Sequence, residues 1–391
     1  MSGFLLLTVI YIAFISLGLP DALLGVGWPS MRLEFDAPLA MAGWIFMTIA
    51  AGTIVSSLFS GKLLERFDTK QVTFASGLVT ALCLFGFYAA PSLPWLFVLS
   101  IPLGLGAGAV DAALNHYVAE HYAAHHMNWL HCFWGVGATG GPLIMASILN
   151  ENGWRDGYLV VAYIQFGLAV LLLLSFPLWK QEPKRDTTYE QEETAVTELD
   201  RKLPRGLPYA LITFLLYCGV EALVGLWASS YLVQMKAFSI ATAATWVSIY
   251  YGSITVGRLL SGFLSFRISN RQMIRLGQGL ALLGSLVFIL PLNGAMIVGL
   301  ILVGLGLAPI YPSMLHETPV RFGKQRAKHL MGYQMAFAYI GSTFLPPLFG
   351  LFATKLSLGI FPIVILFIML FMLLNTERLN HILTNRQEES V

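Results

Sequence analysis

Charge is what this chain has least of: 11 % of its 391 residues are Asp, Glu, Lys or Arg, against roughly 25 % in a soluble domain. A water-facing surface cannot be built from so little, and 57 % hydrophobic residues with a mean hydropathy of +0.71 exclude a soluble globular fold. Cysteine is nearly absent. Cys83, Cys132 and Cys218 sit inside apolar runs and form no CxxC pair, so they read as small hydrophobes and exclude both a disulfide frame and a cysteine metal site. The net charge is +2 and the basic residues form no stripe, which excludes a nucleic-acid partner. A phosphate-cradling GxxxxGK[ST] loop is missing, so ATP-driven pumping is unsupported and no cofactor is expected. The first apolar run starts at Phe4 with neither a basic stretch before it nor a small-residue cleavage site after it. It is therefore expected to stay on the protein as a helix.

What is present is a succession of apolar runs long enough to cross a bilayer, which takes roughly 20 residues as a helix. They fall at about 4–31, 38–60, 71–91, 94–120, 128–150 and 157–179, then at about 206–235, 241–266, 272–291, 294–317, 328–352 and 356–376. Between the sixth and the seventh, residues 180–205 are charged and poor in apolar residues, a solvated linker. The expected organisation is an all-α membrane protein: a six-helix bundle over 1–179, a cytoplasmic linker over 180–205, and a second bundle with a short tail over 206–391. Placing the N-terminus inside puts eighteen Lys and Arg in inner loops and only Arg32, Arg155, Lys236 and Lys355 in outer ones. That bias puts both termini in the cytoplasm.

The two halves also repeat each other. At an offset of 200, "PDALLG" (20–25) overlies "VEALVG" (220–225), and "GLGAGAVDAALNH" (104–116) overlies "GLGLAPIYPSMLH" (304–316). "GATGGP" (137–142) meets "GSTFLP" (341–346) at an offset of 204. A parallel duplication of this kind suits a carrier whose halves rock about a midplane site.

Three acids stand well inside the spans, Asp21, Asp111 and Glu221. Each costs at least about 2.5–3.5 kcal/mol at a helix centre, and such residues usually mark a proton or substrate site. Low dielectric penalises the charged form of a carboxyl, which suits reversible protonation. The alternative for each is a structural acid, hydrogen-bonded to a neighbouring helix or paired with Arg258. Arg258 itself could neutralise a carboxylate or hold an inner gate through carbonyls. Intramembrane amides are few: Asn115, Gln165, Gln278 and Gln334. Trp227, Tyr250, Tyr251, Tyr311 and Tyr333 are candidates for stacking on a sugar face, with interfacial anchoring or helix packing as the alternative.

The duplication and the loop after the second span resemble the major facilitator superfamily. Gly61, Glu65, Arg66 and Lys70 fall where that superfamily has G-x-x-x-D/E-R-x-G-R-R/K, with Asp68 replacing the second glycine. The resemblance implies a charge cluster that gates the inner helix ends. "PDALLGVGWP", "GLGAGAVDAALN" and "MNWLHCFWGVGA" together resemble the fucose–galactose–glucose:proton symporters, matching at Asp21, at Asp111 and Asn115, and at Asn128 and His131. By that resemblance Asp21 is the proton-coupling carboxylate and Asp111 is tied to substrate binding. His131 and Trp134 would face the cavity from the fifth helix. The expected function is proton-coupled symport of a sugar or sugar-like solute by a monomer in the cell membrane, its partners being that solute, protons and lipid. A drug or metabolite:proton antiporter on the same fold, or a sodium-coupled sugar carrier, is the alternative.

Overall fold

The computed structural model describes residues 2–122, 124–149, 153–179 and 204–388, and within these the chain is helical. The first half holds α1 (Ser2–Gly18), α2 (Leu23–Glu34), α3 (Met41–Arg66), α4 (Thr69–Ala89), α5 (Leu93–His121), α6 (Ala124–Leu149) and α7 (Trp154–Leu174). The second holds α8 (Leu207–Lys236), α9 (Ile240–Leu264), α10 (Asn270–Ile289), α11 (Asn293–Leu307), α12 (Ile310–Phe322), α13 (Lys324–Lys355) and α14 (Phe361–Glu388). The linker expected at 180–205 lies, up to residue 203, outside the described residues. Paired end to end, α1 with α2 and α11 with α12 each make one rod, so twelve rods traverse the bundle.

Among the described residues, eleven segments are long and apolar enough to cross a membrane. The eighth expected span, α9, is not one of them. It carries Thr242, Thr245, Ser248, Tyr250, Tyr251, Ser253, Thr255 and Arg258, and these polar groups dilute its hydropathy. The outer faces of the other rods are inverted relative to a soluble protein: Phe4, Leu58 and Leu174 are more than 70 % exposed. Lipid is the medium such a face needs.

The first span is not one helix. The chain leaves α1 at Gly18, turns through residues 19–22, and re-enters a helix at Leu23. Pro20 dictates the break, because it has no N–H and its ring crowds the carbonyl four residues earlier. That carbonyl is Ser16 O, and it is taken instead by Gln165 Nε2 from α7 at 2.6 Å. The amide oxygen of Gln165 accepts from Ser16 Oγ in return. Gln165→Leu would leave a buried carbonyl unpartnered at a cost of about 1–3 kcal/mol. The detergent-solubilised variant should therefore unfold at a lower temperature than wild type; an unchanged midpoint would show that the break needs no such partner. A second break falls at Ala308-Pro309, between α11 and α12, inside the expected tenth span.

The internal repeat reappears as a repeated contact. A Cβ on Gly137 would lie 1.9 Å from Ile15 O, and one on Gly341 would lie 1.9 Å from Leu215 O. Gly137 and Gly341 are the aligned glycines of the repeat, and Ile15 and Leu215 stand 200 residues apart. Each half thus presses its fifth rod against the backbone of its first rod through an obligatory glycine, as small residues allow inside a membrane.

Among the described residues, the halves meet from the end away from the termini down to about the middle of α6 and α9, where Gly135 packs on Thr255. At the end away from the termini they share a core that includes Leu24, Trp28, Leu223, Trp227 and Phe349. There Arg32 Nη1 of α2 donates to Gln234 Oε1 of α8 at 2.9 Å. Backbone abuts backbone where Gly43 meets Pro347 and Gly25 meets Gly225. Towards the termini each half closes on its own cluster. Leu6, Ile10, Phe14 and Tyr117 form one, and Leu207, Ala210, Phe322 and Leu379 form the other. A V-shaped gap between the halves results.

Candidate functional site

That gap holds a cavity of about 460 Å³, lined by both halves. All three intramembrane acids stand on its wall. Asp21 belongs to the turn at Pro20, so its side chain projects where no helix covers it and is exposed to the cavity. Trp134 Nε1 of α6 donates to Asp21 Oδ2 at 2.8 Å. Over the face of the same indole, the Arg258 guanidinium carbon lies 5.3 Å from the ring centroid, a cation–π contact. One tryptophan thus joins an acid of the first half to a base of the second.

Glu221 of α8 and Arg258 of α9 are half-buried and face each other, Arg258 Nη2 donating to Glu221 Oε1 at 3.4 Å. The same nitrogen donates to the Tyr217 hydroxyl at 3.4 Å. Arg258 therefore meets a carboxylate and a phenol here rather than backbone carbonyls, and it sits beside the cavity rather than at an inner gate. Asp111 of α5 is half-buried, its Oδ1 accepting from Asn115 Nδ2 at 2.9 Å, one helical turn away. The same amide reaches Asp111 O at 2.9 Å. Asn115 is spent on holding Asp111 and does not itself line the cavity.

Of the other residues named from sequence, His131, Trp134, Gln165, Tyr251 and Tyr311 line the cavity. The His131 ring stands edge-on to Phe14, 6.0 Å between centroids, and the Tyr311 hydroxyl points at Met335 Sδ, 2.7 Å away. Trp227, Tyr250, Gln334 and Tyr333 do not line it. Trp227 is fully buried between the halves, where its Nε1 donates to Pro346 O at 2.8 Å. Tyr250 is fully buried, with no partner for its hydroxyl among the described residues. Gln334 is buried and accepts from Thr318 Oγ1 at 2.9 Å. Tyr333 is exposed on the opposite face of α13. The side chain of Asn128 lies outside those described.

The gating residues named from sequence sit at the termini end. Gly61, Glu65 and Arg66 are exposed, and the space beside Gly61 is open. Lys70 pairs with Asp68 at 3.4 Å. No ion pair joins Glu65 or Arg66 to another helix among the described residues. The second half carries the tighter network, which the sequence reading did not single out. Buried Glu317 of α12 accepts from Arg271 Nε at 3.4 Å and from Arg321 Nε at 3.2 Å, and Arg321 reaches Asn380 of α14. The available signal was the four-residue spacing of Glu317 and Arg321, which places both on one helix face. Tyr217, Tyr339 and Thr343 on the cavity wall were likewise unnamed; Tyr217, one turn before Glu221, was within reach of the same argument.

The family model of the Major Facilitator Superfamily matches residues 10–346 of this chain. A probable sulfoacetate transporter, SauU of Cupriavidus necator, is 28 % identical over 294 residues, covering 69 % of this chain and 67 % of that protein. The glucose/mannose transporter GlcP of Bacillus subtilis is 24 % identical, covering 69 % and 68 %. Among solved structures, the nucleoside transporter NupG superposes with a TM-score of 0.77 at 12 % identity over 95 % of this chain and 98 % of that one. This likeness concerns the fold.

Proposed function

The chain belongs to the Major Facilitator Superfamily, and we propose that it carries a small, sugar-like solute across the cell membrane in symport with protons. It is a multi-pass transporter rather than an enzyme, and its relatives include a probable sulfoacetate transporter and a glucose/mannose transporter. The observation that carries the proton reading is Asp21: a carboxyl in a helix break, water-reachable from the cavity, next to the interface between the halves. Loading and unloading a proton there requires water access, and a helix interior would deny it. Asp111 and Glu221 complete the acidic wall. The sugar-like reading is supported by the resemblance of the first, fourth and fifth spans, by the glucose/mannose relative, and by tyrosines 251 and 311 beside Trp134 on the wall.

The basic loops gather at the end where the halves part, so by the positive-inside bias the cavity opens towards the cytoplasm. Both termini lie on that side. Transport then consists of rocking 1–179 against 206–391, closing the open end and parting the contacts of Gly25 with Gly225 and of Arg32 with Gln234. A protonated Asp21 lets the loaded carrier reorient.

The test is uptake by purified protein in liposomes under an imposed inward proton gradient, with labelled hexoses and hexuronates as the probes. Expected is accumulation that collapses when a protonophore is added. Uptake driven by sodium alone, or proton-linked export of lipophilic cations without uptake of either probe, would overturn symport.

A further inference from the structure

Among the described residues, Arg258 is the single Lys or Arg on the cavity wall. A guanidinium presents five N–H donors in a planar fork matched to a carboxylate. Among the described residues only Nη2 makes hydrogen bonds, and both, to Glu221 Oε1 and to the Tyr217 hydroxyl, are 3.4 Å long. That is beyond the 2.7–3.2 Å of a good N–H···O bond and far from the short, bidentate geometry of a settled Arg–carboxylate pair. The Arg155–Glu34 pair at the closed end shows the contrast, with Nε at 2.9 Å and Nη2 at 2.6 Å from one carboxylate oxygen. The chain can therefore build a tight arginine pair and does not do so in the cavity. The Trp134 ring beneath Arg258 holds the guanidinium in place without consuming its N–H donors.

We propose that Arg258 is the docking point for a carboxylate of the solute, so that the sugar-like molecule it carries is itself an acid, whose body lies against Trp134, Tyr251 and Tyr311. The proposal rests on the reading of Asp21 as the proton site and gives it a reason. Asp21 and Arg258 touch the same indole, Asp21 at its N–H edge and Arg258 over its face. An anion arriving at Arg258 raises the energy of an ionised Asp21, and a proton on Asp21 relieves it. The proton and the anion thus favour each other's binding, by the same factor in each direction. A neutral solute would gain nothing from that charge compensation. Glu221 occupies the fork weakly in the empty carrier and competes with the incoming carboxylate.

The experiment is equilibrium binding to the purified full-length protein in detergent, with two acids and their uncharged counterparts as probes: glucuronate against glucose, and nicotinate against nicotinamide. Expected is binding of at least one acid about tenfold or more tighter than its neutral counterpart. That preference should be lost in Arg258→Gln and partly kept in Arg258→Lys, which retains the charge without the fork. Glu221→Gln is the decisive companion: removing the competitor should strengthen acid binding, whereas a purely structural Arg258–Glu221 pair predicts weaker binding or none. Neither acid binding, neutral probes binding equally well, or Arg258→Gln binding as wild type would overturn the proposal. Arg258-dependent acid binding with uptake indifferent to the proton gradient would overturn the coupling reading and leave the anion site. Proton-driven glucose uptake without acid binding would do the reverse.

Discussion

Asp21→Asn should reduce proton-driven accumulation to equilibration while solute exchange across the membrane continues. Each pH unit is worth about 1.4 kcal/mol per proton, so an imposed gradient of two units supports roughly 100-fold accumulation for one proton per solute. A carrier that cannot take the proton at Asp21 has no access to that energy, and its accumulation ratio falls to about one. Asn is the right replacement because its side-chain oxygen can still accept from Trp134 Nε1, which holds Asp21 Oδ2 at 2.8 Å. The turn, the indole and its stack with Arg258 should all survive, so counterflow exchange should stay close to wild type. Asp111→Asn is the matching control. Asp111 is also on the cavity wall but is already held by Asn115, and its replacement should weaken solute affinity more than it affects coupling. Wild-type accumulation by Asp21→Asn, or loss of coupling in Asp111→Asn alone, would move the proton to the other acid.

The residues that were legible in sequence are those whose presence in a membrane is expensive. Asp21, Asp111, Glu221 and Arg258 stand out against an apolar background, and all four line the cavity. What could not be read is which way an uncharged side chain faces. In a soluble helix the polar stripe marks the outside. Here lipid and protein core are both apolar, so α8 is hydrophobic all round and Trp227 gave no sign that it packs between the halves rather than into the cavity. Tyr250 and Tyr251 show the same blindness at adjacent positions: only Tyr251 lines the cavity. The break in the first span was legible only in part. A proline such as Pro20 is a general signal of a helix break, but the rescue of Ser16 O by Gln165, 149 residues later in the chain, depends on a tertiary contact that no local pattern encodes. The repeat, by contrast, carried spatial information. Aligned "PDALLG" and "VEALVG" placed Gly25 and Gly225 in register, and the fold brings those two glycines together across the interface.

That contact carries the second large expectation. A Cβ added to Gly25 would lie 2.3 Å from Gly225 O and 2.9 Å from Leu226 Cα. Both are backbone atoms that cannot swing aside, so Gly25→Val forces α2 and α8 apart. Overpacking of this kind costs about 1–3 kcal/mol, and the penalty falls only on the state closed at this end, since parting the two helices relieves it. A bias of about 1–3 kcal/mol shifts a two-state equilibrium by roughly 5- to 150-fold, towards the carrier open at the end that is closed here. Spin labels at Leu33 and Met235, exposed near the ends of α2 and α8, should move apart in Gly25→Val, and uptake should fall at least about fivefold. Gly167→Ala is the control, because its added Cβ meets nothing within 4 Å and should leave both measurements at wild type. If the label distance stays put while uptake is lost, the valine has damaged something other than closure. If both are unchanged, α2 and α8 do not need to touch for the carrier to close, and the gate must be sought where Gly43 of α3 meets Pro347 of α13.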